Sequence, residues 1–143
     1  HRVHRRQRQM CIRDRDDTYM RSVENKLQKP MLKFIDENKE RWGVDYLVRP
    51  DGPPFITLDI TNKLNELGLK SKGFRELTLR MGSPVLVADG VLRIALTGFD
   101  KGMHDTLLPE LLQRVDEMLS IKAGDPLLTR FLHSNPFYAK TAN

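Results

Sequence analysis

Cysteine is almost absent from this chain of 143 residues: the single one, Cys11, lies within the first fifteen positions. A disulfide-stapled fold and a thiolate metal cluster are therefore excluded. No apolar run is long enough to span a bilayer, and no signal peptide is visible. There is no glycine-rich loop to cradle a phosphate. The aromatics are scattered, so they offer no platform for stacked bases. His104 and His133 are lone histidines without paired ligands, which argues against a metal site. No Ser/His/Asp set can be argued from spacing, and no internal repeat or low-complexity tract appears. The expectation from these absences is a soluble, cytoplasmic domain.

Net charge is also missing from most of the chain. The formal charge is +5, but residues 1 to 15 contain six Arg and one Asp and carry all of it. The other 128 residues hold 18 basic side chains (24 less 6) and 18 acidic ones (19 less 1). A basic arm that binds nucleic acid would read this way. A better account is the transposase-based library adapter. Its frame CGT CGG CAG CGT CAG ATG TGT ATA AGA GAC translates to RRQRQMCIRD, which is Arg5 to Asp14 without a mismatch. The segment 1–15 is thus expected to be an artefact, disordered or non-native, and is set aside from fold reasoning. With it go the basic character and the case for nucleic acid. The remainder is expected to be the C-terminal piece of a larger protein.

What is present is a regular alternation of elements. Val23, Leu27 and Met31 stand four apart, and Leu32, Ile35 and Trp42 extend a helical face over 17–42. Pro30 predicts a kink or restart, and Gly43 the end. Asp45 to Arg49 and Phe55 to Ile60 read as strands of a hairpin across the Pro50–Pro53 turn. Thr61 is the expected cap of a short helix stopping at Gly68. Residues 72–82 are ambiguous between helix and strand. Pro84 to Ala88 and Val91 to Leu96 flank Asp89-Gly90, the strongest two-residue hairpin signal. A helix capped by Asp105 or Thr106 runs to about Ser120, with a core stripe of Leu108, Leu111, Leu112, Val115 and Leu119. Gly124 is its expected end. Pro126 to His133 is a last short helix, and Ser134 to Asn143 a tail.

The expected fold class is α+β: a small antiparallel or mixed sheet of two hairpins with helices on one face. The expected division is a linker helix over 16–43, a small domain over 44–122, and a short helix and tail over 123–143.

That element order, together with Gly90-Val91-Leu92-Arg93-Ile94-Ala95-Leu96, resembles the C-terminal small domain of fold-type I pyridoxal phosphate enzymes. Aminotransferases, the serine hydroxymethyltransferase-like group, lyases and decarboxylases belong there. The resemblance covers residues 17 to 122. It implies pyridoxal phosphate as cofactor, bound mainly by a large domain not included here. It further implies an amino-acid substrate, a homodimeric parent, and a fragment inactive alone. Family members often grip the substrate α-carboxylate with an Arg on a late small-domain strand, and Arg93 matches that position. A guanidinium suits the role because it stays charged and binds a carboxylate through two parallel hydrogen bonds. Equally, alternation with Leu92 and Ile94 allows Arg93 to lie on the solvent face of an edge strand. Arg80 is a second substrate-binding candidate. Ser71-Lys72 followed by Arg80 and Gly82 imitates the cofactor-lysine signature, but Arg75, Glu76 and Thr78 stand where small or apolar residues belong. Lys72 is therefore read as a solvated loop lysine. The alternative is a non-catalytic α+β interaction module.

Overall fold

The computed structural model describes residues 17–48, 55–82 and 85–140. Residues 1–16, Arg49 with the expected Pro50–Pro53 turn, Pro84 and the last three positions lie outside them.

The described residues open with a long helical run in three parts: α1 (Asp17–Ser22), a π-helical segment (Val23–Gln28) and α2 (Lys29–Trp42). Its buried residues include Tyr19, Val23, Leu27, Met31 and Ile35, each four from the last. On a 3.6-residue helix, positions four apart drift by about 40° per step. A π turn holds more residues and takes some of that drift back, so the stripe keeps facing the core. The wider turn is visible in the bond from the Lys29 amide to the Glu24 carbonyl, five residues back. Pro30, which has no amide to give, sits in the first turn of α2. At Pro30, where a kink or restart was expected, the backbone stays right-handed helical through Gln28 and Lys29, and the register passes from π to α. Gly43 ends α2 at φ 77°, in the left-handed region that glycine adopts freely.

Four strands follow: β1 (Asp45–Val48), β2 (Phe55–Asp59), β3 (Val85–Ala88) and β4 (Val91–Ala95). They form one sheet in the order β1-β2-β4-β3, antiparallel throughout. Two hairpins are thus joined by pairing of β2 with β4, which makes β4 an interior strand. In the second hairpin, Asp89 and Gly90 have φ of 49° and 78°, the two positive values a type I′ turn requires.

Between the hairpins lie α3 (Thr61–Leu67) and α4 (Ser71–Arg80). The ambiguity over 72–82 resolves as helix, because Phe74, Leu77 and Thr78 bury one face. Thr61 is the first helical residue rather than the cap. Its amide is satisfied by the Asp59 carboxylate at 2.9 Å. A short 3₁₀ turn (Lys101–Met103) leads into α5 (His104–Leu119). Neither Asp105 nor Thr106 caps this helix. The Thr106 hydroxyl instead donates to the Met103 carbonyl. Leu111, Val115, Met118 and Leu119 are buried, while Leu108 and Leu112 only flank the core. The helix stops at Ser120, four residues before Gly124. Last come α6 (Pro126–Ser134) and a 3₁₀ turn (Pro136–Tyr138).

The expected tail is in fact docked as far as Lys140. The Lys70 amide bonds the Tyr138 carbonyl at 2.9 Å, and the Lys140 amide bonds the Gly68 carbonyl at 2.8 Å. Tyr138 lies so close to Gly73 that a Cβ there would stand 2.7 Å from the tyrosine Cβ.

Burial alternates along β2, β3 and β4, whereas β1, irregular in register between Tyr46 and Val48, exposes both Leu47 and Val48. Ile56, Leu58, Val85, Val87, Leu92 and Ile94 face the helices and the core, and their neighbours face away. The fold is α+β, with helices on one face of a small sheet. Among the described residues, no helix is long and apolar enough to cross a membrane.

Candidate functional site

The sheet's other face carries the first candidate. Pairing places Val48, Thr57, Arg93 and Leu86 side by side in one row across all four strands. Phe55 and Ala95 make the row on one side. Asp59, Val91 and Ala88 make the row on the other, with Asp45 opposite Asp59. Arg93 thus stands at the centre of the face, on an interior strand rather than at an edge. Around it Val48, Phe55 and Leu86 are exposed, at 69, 41 and 54 %. Isolated exposed apolar residues are ordinary, but a contiguous patch marks a surface that meets something.

Electrostatics isolates this guanidinium. The guanidinium stacks on the Phe55 ring, 4.6 Å from Cζ to the ring centroid. Such stacking holds the planar group in place and leaves its N–H edges outward. Among the described residues, no carboxylate comes within ion-pair distance of Arg93. The two nearby carboxylates are engaged elsewhere. Asp59 accepts from Thr61, whose amide and hydroxyl hold its carboxyl below the ordinary range. Asp45 is held low by the Lys39 ammonium at 3.1 Å and by the Tyr46 amide. Among the described residues, the face therefore presents Arg93 as a cation without a carboxylate partner in an apolar surround.

Arg80 does not join it. It ends α4, which packs on the covered side of the sheet, so the two candidate arginines do not converge. Arg80 pairs with Glu76 at 3.2 Å and stacks over Phe131 at 5.2 Å. With Arg130 it borders a cleft of about 280 Å³ floored by Leu77, Met81, Leu127 and Phe131. Here Arg80 already has an acidic partner. It also occupies a last helical turn, where a cation's ordinary role is to offset the carbonyl end of the dipole. Lys72 is exposed on α4, on a helix rather than in a loop.

Among the described residues, three buried side-chain atoms lack a hydrogen-bond partner: Gln28 Nε2, Lys63 Nζ and His104 Nε2. Lys63 and His104 are fully covered. A signal for both was available. Ile60, Lys63, Leu64 and Leu67 follow the i, i+3, i+4, i+7 spacing of a buried stripe, and His104 precedes Leu107, Leu108 and Leu111 in the same way. His104, the first residue of α5, lies in the core. No group of three or more His, Cys, Asp or Glu that would hold a metal ion occurs among the described residues.

Set against protein-family models, curated proteins and solved structures, the chain finds no match.

Proposed function

We propose that this chain is the C-terminal small domain of a fold-type I pyridoxal phosphate-dependent enzyme acting on an amino acid, an aminotransferase before a lyase, decarboxylase or hydroxymethyltransferase-like enzyme. Arg93 would hold the substrate α-carboxylate. The observation that carries this reading is the isolated guanidinium at the centre of an uncovered, largely apolar sheet face. A carboxylate brought there would accept two parallel N–H bonds in surroundings partly cleared of water, where a charge-assisted pair is stronger than in bulk solvent.

The described residues do not form a seat for the cofactor. The Lys63 amine is sealed within the core and Lys72 points to solvent. The proposal therefore assigns the cofactor lysine and phosphate site to a preceding large domain, and to this chain only the grip on the substrate and one wall of its cleft. A homodimeric parent is part of the same reading.

The test uses the reading frame extended upstream of Asp16. Arg93→Ala should raise the amino-acid concentration for half-saturation about tenfold to a hundredfold, the worth of a hydrogen-bonded charge. Stability should change by no more than the stacking on Phe55, about 0.5–1 kcal/mol. Arg93→Lys should recover little, because an ammonium cannot present two parallel donors. Saturation unchanged in Arg93→Ala would remove Arg93 from the site.

A second reading, a non-catalytic interaction module, draws on the same exposed apolar row. Under it the domain without residues 1–15 would behave as a free-standing binding unit, and no amino acid would saturate it in any extended frame.

A further inference from the structure

The amino-terminal end of the helical run is fastened to the start of α5 by a series of side-chain contacts across about eighty residues of chain. The Tyr19 hydroxyl donates to the Phe99 carbonyl at 2.8 Å and accepts from the Gly98 amide at 3.2 Å. Ser22 Oγ lies 2.6 Å from His104 Nδ1. Lys26 pairs with Asp105 at 2.9 Å on the exposed rim. Only the serine–histidine contact is fully buried. It also coincides with the boundary of the π-helical segment, and such segments recur where a helix must change register.

We propose that His104, Ser22 and the π-helical segment form an acid-sensitive latch, which holds residues 17–28 against α5 and releases them when His104 is protonated. The neutral ring fits its site through one nitrogen, with Ser22 as donor or acceptor according to the tautomer. Protonation makes both nitrogens donors. Nε2 makes no hydrogen bond of ordinary geometry, so the added N–H and its charge would be buried with only partial compensation, chiefly from the Phe99 carbonyl. The charged groups facing the ring do not supply the rest. From the π-helical segment Lys26 opposes the charge, and from the 3₁₀ turn so does Lys101. From α5 Asp105 favours it, but its carboxylate is already engaged by Lys26. From α1 the Tyr19 ring packs 5.6 Å away, and its hydroxyl is committed to Phe99 and Gly98. The Phe99 carbonyl also favours the charged ring, without making a hydrogen bond of ordinary geometry to Nε2.

Burial first, then Lys26 and Lys101, hold His104 below the ordinary histidine value of 6.5. In the released segment the ring is solvated and regains that value. The open form then binds the proton more tightly than the closed one. The closed form is therefore fully favoured above 6.5 and lost as pH falls through the lowered value. The π turn provides the conformational freedom, because a helix that drops its extra residue back into α register rotates everything before it. The latch is independent of the role of Arg93.

Nuclear magnetic resonance of the whole chain, titrated from neutral pH toward the carboxylate range, reads it directly. The expected result is a His104 ring that titrates below 6.5, with amides of residues 19–28 and 98–105 shifting and losing protection over the same interval. Amides of β2 and β4 should stay in place. His104→Gln should abolish the transition. Ser22→Ala keeps the titrating ring but removes its partner, so it should move the opening to higher pH. It serves as the deciding variant if His104→Gln does not fold. The proposal is overturned if residues 19–28 stay protected while His104 titrates. It is also overturned if the sheet unfolds in the same step, or if Ser22→Ala leaves the opening pH where it was.

Discussion

Lys63→Met should raise the unfolding free energy by about 1–3 kcal/mol, the cost of burying a polar group without a hydrogen bond. Few single substitutions stabilise a domain, and this one should because the native residue is misplaced by every local rule. Lys63 occupies the apolar stripe of α3, is fully covered, and its amine finds no acceptor. Methionine keeps the unbranched stem that fills the space and discards the ammonium. Burial pushes the Lys63 amine below the ordinary lysine range. Glu66 and Asp125 pull it back, while Lys122 and Arg41 push it further down. The sign follows from proton binding. Between the lowered value and 10.5 the unfolded chain holds a proton that the folded chain has released, so stability rises with pH across that window. The advantage of methionine is therefore full below the lowered value and shrinks as pH climbs from there toward 10.5. Urea unfolding of both proteins at neutral and alkaline pH measures it. A methionine variant less stable than the parent would mean that Lys63 has an acceptor when folded.

Trp42→Ala should cost about 3–5 kcal/mol, a large share of the 5–15 kcal/mol typical of a domain. Trp42 is wholly buried at the end of α2, meets Phe34 edge-on at 5.5 Å, and donates its indole N–H to Asp116 of α5 at 3.1 Å. The same carboxylate oxygen accepts from Arg41 at 2.6 Å and Ser120 at 3.0 Å. This joint ties the last turn of the long helical run to the last turn of α5. Burial works to raise the Asp116 carboxyl, but the bonds from Arg41, Trp42 and Ser120 outweigh it and the net displacement is downward. The stability this contributes is present above the ordinary carboxylate range and lost as pH falls through the lowered value. Trp42→Phe should keep most of the packing and lose about 1 kcal/mol with the N–H. Its stability should also fall less steeply in acid. Equal acid sensitivity in Trp42→Phe and the parent would remove the indole from the account.

How far the fold could be read from the residues depends on what each local signal competes with. Asp89-Gly90 names its turn because few other residues tolerate two positive φ values. The strands read cleanly because one face is buried and the other is not, so period two survives in Ile56, Leu58, Leu92 and Ile94. The helix over 71–80 was obscured by its own chemistry: Arg75, Glu76 and Arg80 interrupt an apolar stripe of only Phe74 and Leu77. Helix starts were misjudged where a capping side chain was available but unused. At Thr61 the carboxylate two residues earlier reached the amide first. The docked segment 136–140 had no sequence signal, because its partners are backbone groups of Gly68 and Lys70 and the bare face of Gly73.

The candidate site was half legible. Alternation placed Arg93 opposite the core, but periodicity within one strand says nothing about its neighbours in the sheet. That β4 lies inside, with Phe55 against the guanidinium, is a consequence of pairing between β2 and β4, while Asp59 and Asp45 are taken up by Thr61, Tyr46 and Lys39. Lys63 and His104 are hard to place for the opposite reason: each carries a polar head at an apolar position of a helical stripe.

The most direct test of the enzyme reading is the DNA of the source locus upstream of Asp16, read through the stretch that encodes residues 1–15. The account predicts a continuous frame encoding a larger domain with a cofactor lysine, to which this chain adds Arg93. A start codon close to Asp16, or an upstream domain with no such lysine, would contradict it and leave the open sheet face as the surface of a binding module.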